Sequence, residues 1–125
     1  MINRIIMINE NTIDNVSLNY YEQLGVSGII NDLTKKHPLI KKVILYGSKA
    51  RGDFLEDSDI DLFFVCDANV PRSVKYEIYD NIYEYELLYD IVVSAIFISE
   101  ADFRDRVSTF IMMVKKEGVI LWSRE

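Results

Sequence analysis

The sequence predicts an α/β fold, a mixed central sheet flanked by helices. Apolar runs at 40–46, 59–65 and 89–97 have strand length and are separated by longer stretches with helical periodicity. Half of the 125 residues are hydrophobic, enough for one sizeable core. No stretch reads as linker or low-complexity sequence, so a single domain over 1–125 is expected.

Residues 1–16 offer a short strand around Ile5, Ile6 and Ile8, followed by an Asn-rich turn from Asn9 to Asn15. Ser17 is the expected N-cap of a helix over 18–37. Tyr21, Leu24, Ile29, Ile30 and Leu33 give that helix its apolar stripe, Gly25 and Gly28 loosen it, and Pro38 ends it. The first strand, 40–46, holds Val43, Ile44 and Leu45 in a row, as a buried strand does. Gly47 breaks it, 48–52 forms a short helix or turn, and 53–58 forms a polar loop. The second strand, 59–65, opens on two aspartates and is otherwise nearly continuous in apolar residues. Pro71 starts a helix running to 87, and 89–97, rich in Ile and Val, makes the third strand. Ser99 with Asp102 three residues on resembles a capping box, opening helical sequence that breaks near Ser108 and continues to Glu117. Gly118 stops it, and 119–122 adds a short strand.

The formal charge of −6 argues against a surface built for nucleic acid, which calls for clustered Lys and Arg. An acidic chain can still hold a nucleotide when a metal neutralises both its carboxylates and the phosphates. The single cysteine, Cys66, cannot form an intrachain disulfide and suits a reducing cytosol. The chain shows no signal peptide and no apolar stretch of bilayer length, so a soluble, cytoplasmic protein is expected.

The chemistry concentrates between Gly47 and Asp61. Glycine lets a ligand approach the backbone, and the Ser48 hydroxyl and neighbouring amides can donate to phosphate oxygens. Lys49 and Arg51 add positive charge nearby. Arg51 is equally suited to a salt bridge with Asp53 or Asp57. A Gly-Ser pair alone is most often only a turn after a strand. Asp59 and Asp61, two apart on a strand, can converge on hard cations, while Ile60, Leu62 and Phe64 face the opposite layer. An isolated Asp-x-Asp is usually a solvated strand end. Here it follows the Gly-Ser turn by one short loop, so a metal could bridge it to phosphates at Ser48. Asp90, read as opening the third strand, is the candidate third carboxylate if that strand neighbours the second; the plainer reading is a strand cap.

Gly47-Ser48, ten intervening residues and Asp59-Ile60-Asp61 resemble the signature of the DNA polymerase β-like nucleotidyltransferase superfamily. The wording Gly-Ser-x-Ala-Arg-Gly, then Ser-Asp-x-Asp-Leu, is similar to its minimal nucleotidyltransferase (MNT) branch. The resemblance implies a polymerase β-like fold and magnesium-dependent transfer of a nucleoside monophosphate from a triphosphate such as ATP to a hydroxyl. It implies that Asp59, Asp61 and Asp90 hold two Mg2+ ions, that Asp90 helps activate the acceptor, and that Ser48 binds the departing phosphates with Gly47 allowing their approach. Proteins of this size resemble the antitoxins of HEPN/MNT toxin–antitoxin pairs. That relation implies adenylylation of a tyrosine on a HEPN ribonuclease toxin, with the acceptor half of the reaction on another protein.

Two rivals stay open. One is a binding module that occupies its partner, for which Tyr76, Tyr79 and Tyr83 form either a core stripe or an exposed interface. The other is a small-molecule nucleotidyltransferase working as a homodimer. His37 reads as a helix-end residue, Cys66 as a small buried hydrophobe, and Lys115 and Lys116 as dipole-complementing charges, one of which could face a phosphate.

Overall fold

A computed structural model describes residues 17–53 and 58–124. The strand read at Ile5 to Ile8 and the Asn-rich turn lie outside the described residues. Elements run α1 (Tyr20–Lys36), β1 (Ile40–Tyr46), α2 (Ser48–Arg51), β2 (Ile60–Cys66), α3 (Arg72–Tyr89), β3 (Val93–Ser99), α4 (Glu100–Asp105), α5 (Thr109–Glu117) and β4 (Val119–Ser123).

The sheet order is β3-β2-β1-β4. β1 runs antiparallel to both β2 and β4, whereas β2 and β3 are parallel, so the sheet is mixed as expected. A parallel pair needs a long crossover, and α3 provides it. Strand alternation divides the core. Val43, Leu45, Ile60, Leu62 and Phe64 pack with Val26, Ile29 and Leu33 of α1 and Ile78 and Ile82 of α3. Ile44, Tyr46, Phe63 and Val65 face the other way, where Val114 of α5 and Phe103 of α4 cover them.

Two boundaries differ from expectation. The N-cap of α1 is Asn19, not Ser17: Asn19 Oδ1 accepts from the Glu22 amide at 2.9 Å, and Glu22 Oε1 accepts from the Asn19 amide at 3.0 Å. This reciprocal capping box outcompetes a lone serine. The Ser17 N–H donates instead to the Lys49 carbonyl at 2.9 Å.

The third strand starts at Val93, not Tyr89, because α3 runs two residues further than expected and Asp90 ends it in the left-handed region (φ 54, ψ 54). Ile91, read as strand, drops its side chain into a notch at Gly25, where an added Cβ would meet Ile91 Cδ1 at 2.3 Å. A Cβ at Gly28 would likewise lie 2.3 Å from Tyr85 Cε1. These glycines therefore let α1 and α3 approach closely. The break near Ser108 is present, with its hydroxyl capping α5 through the Ile111 amide at 3.0 Å.

Candidate functional site

Gly47 ends β1 with φ 76 and ψ −158, a conformation only glycine adopts without strain. Its carbonyl accepts from the amides of Ala50 and Arg51, each at 3.1 Å, which closes the single turn of α2. Half-buried Ser48 is the first residue of that turn, so its amide has no intrahelical carbonyl to bond.

Asp61 sits directly across from Tyr46 in the β1–β2 register. A Cβ on Gly47 would lie 2.3 Å from Asp61 Oδ2, so the glycine makes room for this carboxylate. Asp59 is exposed one residue before β2, and Asp61 is half-buried at its second position. Burial, first, and the charge of Asp59, second, push the Asp61 carboxyl above its ordinary range, against the pull of Arg51. Burial and the Asp61 charge push the Tyr46 phenol up to about 12. A half-buried carboxylate pressed by a neighbouring carboxylate forms a site a cation would relieve, and hard oxygen donors suit Mg2+. The residues present fit a divalent ion held through Asp59 and Asp61.

Asp90 does not complete that pair. As the C-cap of α3 it lies three residues before β3, and no cluster of three or more Asp, Glu, His or Cys side chains placed for a metal occurs among the described residues. Asp90 borders instead a cavity of about 590 Å3 with Glu22, Ser58, Leu88 and Val92. β3 does lie beside β2 as expected, but Ser94 is the residue paired with Asp61. Val93, Ala95 and Phe97 pack toward α1 and α3, so Ser94 shares the face of Asp61.

Lys49 is turned to a carboxylate of the chain instead of to the open side of the turn. It is 2% exposed and its Nζ lies 3.0 Å from Oε2 of Glu22, itself 7% exposed. Periodicity cannot show this, because a Lys next to a phosphate turn looks like a ligand until its partner on α1 is known. Arg51 takes the salt-bridge alternative, 3.1 Å from Asp53 and 3.3 Å from Glu117; Asp57 lies outside the described residues.

Elsewhere, Cys66 is fully buried, and burial raises its thiol to about 12, as befits an inert hydrophobe. His37 caps α1 with its Nε2 3.9 Å from Glu77. The Lys115 ammonium stands 5.0 Å over the Phe103 ring. Tyr76, Tyr79 and Tyr83 are all exposed, so the stripe on α3 is surface and not core. No helix among the described residues is long and apolar enough to cross a membrane.

The family model of the nucleotidyltransferase domain matches residues 26–121. A Methanocaldococcus jannaschii protein named as a putative protein adenylyltransferase is 35% identical over 103 residues, covering 81% of this chain and 98% of that protein. A chain of a toxin–antitoxin complex crystallised with AMP-PNP superposes with a TM-score of 0.59 at 20% identity, covering 79% of this chain and 73% of that one. A chain from the complex of tri-AMPylated Shewanella oneidensis HEPN toxin with MNT antitoxin superposes with a TM-score of 0.54 at 20% identity, covering 81% and 71%. At these identities the two structures establish a shared fold.

Proposed function

The chain belongs to the nucleotidyltransferase domain family and is a transferase of that kind, and from that premise we propose that it moves AMP from magnesium-bound ATP to a tyrosine of a partner HEPN-type toxin, as its antitoxin. The observation that supports the reading is the close approach of Gly47 and Asp61, a turn suited to phosphate beside a carboxylate suited to a metal. Asp59 and Asp61 would hold the expected pair of Mg2+ ions, which when bound offset the phosphate charge and stabilise the oxygens of an in-line displacement. Ser48 and its amide would receive the departing pyrophosphate.

The sheet order bears on the acceptor. β2 lies between β1, which leads into Ser48, and β3, which carries Ser94. In-line attack opposite the pyrophosphate then comes from the β3 side. The β3 residue paired with Asp61 is Ser94, whose hydroxyl is no general base. A phenol, with a pKa of about 10, needs less help to lose its proton than water, at about 15.7. That supports tyrosine over an aliphatic alcohol. The relative named as a protein adenylyltransferase supports a protein acceptor, and the neighbour in complex with a tri-AMPylated HEPN toxin supports that class of partner.

The exposed Tyr76, Tyr79 and Tyr83 on α3 favour a second reading, inhibition by occupying the partner's surface. Mass spectrometry of a neighbour-encoded protein co-expressed with this chain decides between them. AMP on a tyrosine, lost with Asp59→Asn/Asp61→Asn, is the expected result. A double variant that still neutralises the partner fully would favour occupation.

A further inference from the structure

We propose that Lys49 is a positioning residue that holds Ser48 in place through the backbone of α2, without touching the nucleotide. The inference rests on the nucleotide-transfer reading above. Both charges of the pair are buried, with Lys49 Nζ 3.0 Å from Oε2 and 3.2 Å from Oε1 of Glu22. Burying an ion pair desolvates both groups, and apolar residues of similar volume are commonly as stabilising or more so. Stability is therefore a weak reason for the pair, and the role proposed for it is fixed geometry.

The connections define what is fixed. Glu22 Oε1 also accepts from the Asn19 amide, Asn19 Oδ1 accepts from the Glu22 amide, and the Ser17 amide donates to the Lys49 carbonyl. One carboxylate thus joins α2 to the capped start of α1, which Val26, Ile29, Ile30 and Leu33 anchor in the core. With four residues, α2 is too short to hold its own conformation. Ser48 sits between Gly47, packed on Asp61, and Lys49, packed on Glu22. The turn is clamped on both sides of the serine.

The test compares two ligands. Lys49→Gln/Glu22→Gln removes both charges and leaves amides able to hydrogen-bond, with a somewhat shorter side chain at residue 49. Calorimetry with Mg-ATP and with AMP, which lacks the β and γ phosphates, reads the position of the turn. The expected result is cooperative melting, Mg-ATP affinity weakened about tenfold or more, and AMP affinity within about twofold of wild type. Equal losses for both ligands would mark the pair as merely structural and overturn the proposal, as would unchanged Mg-ATP affinity. Should the double variant not melt cooperatively, Lys49→Met/Glu22→Gln, which retains the capping oxygen, approximates the lysine in length and leaves no charge buried alone, carries the same expectation and the same contrary outcomes. A wild-type chain that binds no Mg-ATP would overturn the nucleotide reading and the proposal together. A wild type that binds it, with a variant that binds equally well, overturns the proposal alone.

Discussion

Asp61 Oδ2 lies 2.3 Å from the point where residue 47 would carry a Cβ, so the conformation of Gly47 and the position of the carboxylate depend on each other. Gly47→Ala must both strain the backbone at φ 76 and displace Asp61. The strain alone costs about 1–3 kcal/mol. Urea denaturation should show that loss, and AMP transfer should fall about a hundredfold or more, since small misplacements of reacting groups are severe. An alanine variant with wild-type transfer would mean the two residues do not share a site.

The raised proton affinity of Asp61 gives a pH signature. Its folded pKa lies above the unfolded value of about 3.9, so within that window the folded state holds a proton the unfolded state has released. Stability contributed by this group therefore falls as pH rises through the window, and above it the deficit is complete. Melting temperatures across about pH 3 to 7 should show Asp61→Asn gaining on wild type as pH rises. Added Mg2+ should raise the wild-type melting temperature near pH 7 more than that of the variant. A difference between the two chains that is flat with pH would contradict the assigned environment.

Ser94, and not Asp90, is the β3 residue paired with Asp61. Asp90→Gly should leave transfer intact and raise stability by about 1 kcal/mol, because glycine occupies the left-handed cap without a Cβ penalty. Ser94→Asp places a third carboxylate opposite Asp61 and should tighten Mg2+ binding, read by calorimetry. Loss of transfer in Asp90→Gly, with the fold retained, would return Asp90 to the chemistry.

Gly28 tests the helix contact. A methyl group there must push back the ring of Tyr85, whose hydroxyl donates to Asp32 of α1. Gly28→Ala should cost about 1–3 kcal/mol in urea unfolding, despite alanine's better helix propensity. A stabilised variant would show that the ring moves aside freely.

Much of this was legible in the sequence where local physics decides it. β1 has the expected bounds, β2 lies within one residue of them, and Ser48, Asp59 and Asp61 gather at one end of the sheet. The illegible parts depend on partners remote in the chain. Ile91 looked like strand because its burial against Gly25 leaves no local periodic trace. Lys49 looked like a ligand because Glu22 lies 27 residues away. Asn19 could have been found: Glu22 three positions on completes the capping-box pattern that Ser17 lacks.

The ion pairs of α2 bear on the form in which a nucleotide can arrive. Lys49 already faces Glu22, and Arg51 already faces Asp53 and Glu117, so both cations of the signature are balanced by carboxylates of the same chain. A bare triphosphate would then approach Asp59 and Asp61 across a field of its own sign. The charge would have to be balanced by metal before the nucleotide docks, whether the ion is already held by Asp59 and Asp61 or arrives on the triphosphate, and the bare nucleotide would be the form the site turns away.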